Sequence, residues 1–219
     1  LAAAIEQAKM PMQFVMFDDC YMSNIEVAYE LRNVTDYLIG CCSEIMAYGM
    51  PYKNIWKHLT QPQPNYKEVV NEFHNFYSNY KWPHGNIGVT DCSKVEEVAA
   101  RMKTINAATA NNAKLIDWKD IQRLDGYKKT IFFDMGDYVN KLCNTPETQS
   151  MAREMQAALA QLVPYKSTTP YIYTALEELS YNRIRVNAYS GITISDPTQS
   201  DFENALTTKR ETGWWKATH

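Results

Sequence analysis

The chain has 219 residues, 45% of them hydrophobic, which is enough for one large domain or a core with a subdomain. Its formal charge is only −3, with acids and bases interspersed, and this argues against the basic face of a nucleic-acid platform. No apolar run reaches the ~20 residues of a membrane-spanning helix, and the opening Leu-Ala-Ala-Ala-Ile reads as a helix rather than a charged signal leader.

Taken in chain order, residues 1–9 read as the end of a helix. An apolar strand follows over 13–17, then an amphipathic helix over 22–33 with Met22, Ile25, Tyr29 and Leu31 on or near one stripe. A second strand covers 37–42. Strand–helix–strand with short connections predicts parallel pairing. The loop 43–52, SEIMAYGMPY, emerges beside the end of the first strand if the two strands are neighbours.

A short helix over 53–59 stops at the Pro62–Pro64 segment. The clearest helix spans 66–80, where Tyr66, Val69, Val70, Phe73, Phe76, Tyr77 and Tyr80 share a face. Pro83-His84-Gly85 breaks it. Residues 87–90 read as a short strand, with Asp91 or Ser93 capping a helix that carries Val95, Val98, Met102 and Ile105. Helices are expected over 131–142, 149–162 and 202–210, and strands at 184–186 and 192–194 around the turn Ser190-Gly191. No repeat or Gly/Ser linker appears, so a tightly joined subdomain is expected after residue 116 rather than a tethered second domain.

Five cysteines with no C-x-x-C pair, and no histidine at ligand spacing, predict no metal centre. No cofactor is implied either: a nucleotide site would need a glycine-rich turn after the first strand. Cys41, Cys42, Cys92 and Cys143 lie in or near apolar segments and read as small buried hydrophobes. Cys20 differs. It follows FVMFDD at the strand end and precedes a helix, the edge of an open α/β sheet where ligands bind. A thiol with pKa about 8.5 is mostly protonated at neutral pH. A helix N-terminus favours the thiolate by about 0.3–1 kcal/mol. Asp18 and Asp19 oppose it, so the site needs a cation, either an imidazolium or a basic substrate. Alternation along the strand puts Asp18 on the side of Cys20 and Asp19 on the other. The histidines are His58, His74, His84 and His219. His58 and His74 sit on helices, His219 is terminal, and His84 lies in a turn, so none reads as the base for Cys20.

FDDCYMSNIEVAYELRNVTDYLIG followed by SEIMAYGMPY resembles the clostripain-like cysteine peptidases of the caspase/gingipain clan. The likeness is specific over residues 1–60 and looser through IFFDMGDYV and YSGITISDP. It implies an α/β fold: a caspase-like, mostly parallel sheet with helices on both faces. Residues 1–116 would be the C-terminal half of the peptidase core, and 117–219 a mainly helical subdomain returning strands near 184–195. It further implies that Cys20 is the nucleophile of a Cys-His dyad and that Asp18 binds a basic P1 side chain. The histidine would lie on an N-terminal light chain of the same precursor, this being the cysteine-bearing heavy chain. The substrate would be a peptide or protein cleaved after Arg or Lys, and the enzyme secreted or at the cell envelope. Asp19 stands where the family favours a small residue, and Ser23 where glycine is common. The alternative is a catalytically inactive binding module of the same fold with Cys20 merely packed.

Overall fold

The computed structural model describes residues 1–110, 117–176 and 182–219. A helix, α1 (Ala2–Gln7), leads into β1 (Met12–Met16), α2 (Ile25–Leu31), β2 (Thr35–Gly40), α3 (Tyr52–Leu59), α4 (Tyr66–Asn79) and β3 (Asn86–Asp91). The long helix α5 (Val95–Thr109) follows, then β4 (Phe132–Asp134), α6 (Met135–Leu142), α7 (Gln149–Leu162) and β5 (Tyr165–Thr168). The chain closes with β6 (Tyr171–Tyr173), β7 (Arg183–Arg185), β8 (Thr193–Ser195), α8 (Ala205–Glu211) and α9 (Gly213–Thr218).

The four-stranded sheet has the order β1-β2-β3-β5. The predicted strand–helix–strand unit pairs in parallel, with Phe14 opposite Tyr37 and Met16 opposite Ile39. β3 and then β5 add antiparallel, so the sheet is mixed. Helices cover both faces because strand side chains alternate. Val15, Phe17 and Leu38 pack into one core with residues of α2, α5, α6, α7 and α9. Phe14, Met16, Ile39, Ile87 and Val89 pack into another with Ile55, Tyr66, Val69, Phe73 and Tyr77 of α3 and α4. The first core draws on residues from Ile25 to Trp214, so the stretches before and after residues 111–116 share it. The division expected after residue 116 adjoins 111–116, which lie outside the described residues.

Several expected elements differ in extent. The helix expected over 22–33 begins only at Ile25, because Asn24 takes the cap: its side chain accepts the Val27 N–H at 2.8 Å. The helix expected over 131–142 is split. Phe132–Asp134 form a strand paired with Thr193–Ser195, and Asp134 caps the helix behind it through the Asp137 N–H. The strands expected near 184 and 192 form as β7 and β8, each in a two-stranded ladder rather than in the main sheet. β5, whose Tyr-Lys-Ser-Thr sequence carries no apolar alternation, pairs on the outer side of β3. Among the described residues, no helix is long and apolar enough to cross a membrane.

One pair of residues brings the later chain to the sheet. Gly40 and Gly88 are cross-strand partners on β2 and β3. Two backbone segments press on this bare patch. A Cβ at Gly88 would sit 2.0 Å from the carbonyl oxygen of Gly191, and one at Gly40 would sit 3.1 Å from the Ser23 nitrogen. The segments are stitched together there: Ser23 N–H donates to the Cys41 carbonyl (3.0 Å), Ser23 Oγ to the Gly191 carbonyl (2.9 Å) and Thr193 N–H to the Ser23 carbonyl (3.0 Å). Gly88→Ala is therefore expected to destabilise the fold by about 1–3 kcal/mol or more, as overpacking against backbone does. Gly40→Ala should cost less, since shifts of a few tenths of an ångström relieve it. Urea unfolding of both variants checks the order; a Gly88→Ala protein as stable as the parent would contradict it.

Candidate active site

β1 ends at Met16, although Phe17 N–H still donates to the Ile39 carbonyl at 2.9 Å. Residues 18–24 then cross the end of the sheet as irregular chain. Cys20 sits in this crossing, half-buried and four residues before the cap of α2. It does not open the helix, as the sequence pattern suggests. Its backbone N–H donates to Asp19 Oδ1 at 2.8 Å, so in this state that N–H is already engaged.

The residue after Cys20 carries the strain of the crossing. Tyr21 has φ +63°, the left-handed region, which costs a non-glycine residue about 1–2 kcal/mol. Several contacts hold it there. Its N–H donates to the Ser43 carbonyl (3.1 Å), its carbonyl accepts from Asn24 Nδ2 (2.6 Å), and its ring stacks on Phe132 at 5.0 Å. Its hydroxyl donates to Glu44 Oε1 at 2.9 Å, while Glu44 Oε2 accepts the Ala175 N–H at 2.8 Å. Asn24 thus caps α2 and orients the cysteine loop with one side chain.

The loop after β2 forms the other wall. Asp18 lies against it: Asp18 Oδ1 accepts the Met50 N–H at 2.8 Å, and the same carboxylate lies near the Tyr52 hydroxyl and helps raise its pKa, after burial. Gly49 (φ +76°) makes this approach possible, since a Cβ there would lie 2.7 Å from Asp18 Oδ1. Tyr77 of α4 steadies the turn from below, donating its hydroxyl to the Gly49 carbonyl at 2.7 Å. Asp18 thus faces the 46–50 turn. Alternation along a strand does not account for this, because the strand has ended.

The thiol of Cys20 is held above its ordinary pKa. Burial is the main cause; the neighbouring Glu44 and Asp19 carboxylates add to it, and a hydrogen bond from the Ile45 backbone N–H works against it. Cys41, Cys42, Cys92 and Cys143 are buried free thiols, as expected of small hydrophobes; Cys42 and Cys92 are pushed up to about 12 by burial. Of the histidines, His74 bonds Ser167 and Ser78, His58 faces Glu72, His219 stacks on Trp215, and His84 lines a separate cavity. Among the described residues, no group of three or more His, Cys, Asp or Glu is arranged to hold a metal ion.

A model of the clostripain family matches residues 1–207. The chain belongs to the clostripain family. It is therefore a cysteine peptidase by family, with the α/β fold of that group. Solved clostripain-type structures agree. A clostripain from Bacteroides thetaiotaomicron ATCC 29148, in complex with the peptide inhibitor BTN-VLTK-AOMK, superposes with TM-score 0.85 at 43% identity, covering 100% of this chain and 92% of that one. A secreted C11 cysteine protease from Bacteroides thetaiotaomicron, "iotapain", gives TM-score 0.85 at 43% identity over 100% of this chain and 59% of that one. An inactive zymogen C11 protease from Parabacteroides distasonis gives TM-score 0.86 at 28% identity over 100% of this chain and 61% of that one. This chain thus spans about three-fifths of the last two. None of the curated proteins compared with it matches.

Glu44, Asn24 and Gly49 are parts of this candidate site that residue patterns did not single out. Only Gly49, in a loop with Pro51, carried a visible turn signal. Glu44→Gln keeps the size and hydrogen-bonding capacity of the side chain but removes its charge. The Cys20 pKa should fall, and its alkylation by iodoacetamide at pH 7 should quicken by up to about tenfold, the span of one pKa unit. The pH profile of alkylation, with modification mapped by mass spectrometry, reads this directly. An unmoved profile would show that Glu44 does not act on the thiol.

Proposed function

We propose that this clostripain-family chain is the cysteine-bearing part of an endopeptidase that cleaves after Arg or Lys, with Cys20 as nucleophile and Asp18 as the P1 contact. One observation carries the reading. A single crossing segment supplies a half-buried thiol and, two residues before it, a carboxylate held on the Met50 N–H against a glycine turn. Acidic groups surround that thiol and burial raises its pKa. A cation must arrive for the thiolate to form, and a guanidinium or ammonium side chain on Asp18 brings one. The relative bound to the VLTK inhibitor, whose peptide segment ends in lysine, is in keeping with this.

In the reaction the Cys20 thiolate attacks the scissile carbonyl carbon. The tetrahedral oxyanion collapses, the C–N bond breaks, and the leaving amine takes a proton from an imidazolium. Water then hydrolyses the thioester, releasing the acid and restoring the thiol. The Cys20 N–H can serve the oxyanion only after Asp19 releases it, and backbone donors of this kind are worth about 2.7–4 kcal/mol.

The imidazole is proposed to come from an N-terminal light chain of the same precursor. Two observations support this. No described histidine contacts Cys20. β1, the strand leading to Cys20, is an edge strand with one side unpaired among the described residues, and such an edge invites another strand. The description of a relative as an inactive zymogen favours maturation by cleavage. A secreted or cell-envelope location follows the relative described as secreted.

Cys20→Ala should abolish turnover while the protein remains folded. Asp18→Ala should lower kcat/KM for Arg and Lys substrates by roughly two to three orders of magnitude, the cost of stripping one partner from a desolvated charge pair. Asp19→Ala should keep the basic preference. A fluorogenic library scanning P1 decides: best cleavage after neutral or acidic residues refutes the Asp18 assignment. For the partner, size-exclusion chromatography followed by denaturing electrophoresis should show two chains eluting together. Full activity in this chain alone would exclude a second chain.

A further inference from the structure

Asp125 is a carboxylate that the reaction does not use, and it is only 1% exposed. Burying such a group is costly unless hydrogen bonds meet it. Three backbone N–H groups do so: Tyr127 donates to Oδ1 at 3.0 Å, and Ile131 and Phe132 donate to Oδ2 at 2.8 and 2.6 Å. Burial pushes its pKa up to about 6, against those bonds and Arg123, so at neutral pH it is mostly ionised and only accepts. One side chain therefore gathers residues 125–132 into a closed loop. The Leu124 N–H, donating to the Phe132 carbonyl at 2.9 Å, shuts its base.

Both halves of that loop reach Tyr21. At one side the Phe132 ring stacks on the Tyr21 ring, with centroids 5.0 Å apart and planes 10° from parallel. At the other side Gly126 lies on Thr174, where a Cβ would stand 2.0 Å from Thr174 Oγ1. Ala175, next to Thr174, gives its N–H to Glu44 Oε2, and Glu44 Oε1 takes the Tyr21 hydroxyl. Tyr21 is thus held at its ring face through Phe132 and at its tip through Glu44, Ala175 and Thr174. It is also the left-handed residue bonded to Cys20, so a turn of its backbone moves the sulfur. A displacement of about 1 Å at a reacting atom can cost two orders of magnitude in rate.

We infer that Asp125 is a positioning residue for the nucleophile: its carboxylate shapes the 125–132 loop, and the loop clamps Tyr21 and so aims the Cys20 sulfur. The inference rests on the Cys20 reading. It makes Phe132 the contact that carries the effect.

The test uses the assembled enzyme and its best peptide substrate, with kcat counted per folded chain whose Cys20 takes up a stoichiometric iodoacetamide label. Asp125→Asn keeps the shape of the side chain, but whichever way the amide turns, a donor faces a backbone donor. It should lower kcat by about 10–100-fold with KM nearly unchanged, the split expected when only transition-state alignment is lost. Phe132→Leu, which leaves the Asp125 bonds in place, should give the same split more weakly, and Phe132→Tyr should restore kcat. The double variant Asp125→Asn/Phe132→Leu should lose less than the product of the two single losses, because both act through one contact on Tyr21. Parent kcat in either single variant, a loss confined to KM, or losses that multiply independently overturn the positioning role. Should Asp125→Asn fail to fold, Phe132→Leu and its rescue by Phe132→Tyr decide. Cys20→Ala separates the two readings. Turnover retained there refutes the nucleophile itself, whereas turnover lost there with parent kcat in the other variants refutes Asp125 alone.

Discussion

The structure depends on a patch of sheet with no side chains. Gly40 and Gly88 face each other across β2 and β3, and the backbones of residues 22–23 and 191 lie directly on them. Sheets and their covering layers normally stand ~10 Å apart because side chains fill the gap. Here the gap is closed, so Ser23 can bond the Gly191 carbonyl and Thr193 can bond Ser23. Those bonds hold the segment that follows Cys20 against the sheet from both sides. Close backbone approach at this point ties the crossing that carries Cys20 down to the sheet.

Charge is the second organising feature. Asp19 and Glu44 lie near a half-buried thiol while Asp18 faces the 46–50 turn, and each carboxylate does structural work as well: Asp18 receives the Met50 N–H, Asp19 the Cys20 N–H, and Glu44 the Tyr21 hydroxyl and the Ala175 N–H. Burial first, and then the Glu44 and Asp19 carboxylates, hold the thiol above its ordinary pKa. The strain at Tyr21 belongs to the same design, since the left-handed turn is what lets the chain pass from β1 into the cap of α2 with Cys20 on top.

Much of this was legible in the residues. FVMF reads as a strand by composition, the stripe from Ile25 to Leu31 as a helix by period, and parallel pairing of β1 with β2 follows from the shortness of their connection. Cys20 stood out because acids flank it at a strand end, and the family likeness of that stretch agrees with a family match over residues 1–207. The helix start was misplaced by three residues because Met22 and Ser23 fit an amphipathic pattern locally, whereas Asn24 wins the cap through a hydrogen bond that periodicity does not register. β5 escaped notice because its pairing partner, β3, lies far away in sequence, with Val89 opposite Tyr165 and Asn86 opposite Thr168, and its own side chains carry no alternation.

The sequence by itself determined the elements that depend on near neighbours: strands and helices with a clear period, the odd thiol among buried ones, and the acid two residues before it. Only the tertiary structure decided which way Asp18 turns, which N–H groups are already engaged, and which distant segments close the site. Those outcomes depend on contacts between residues far apart in the chain, such as Asp18 with Met50, Glu44 with Ala175 and Ser23 with Gly191. The bare Gly40 and Gly88 let Ser23 and Gly191 meet over the sheet, and Gly49 leaves room for the Asp18 carboxylate where a side chain would have kept it away.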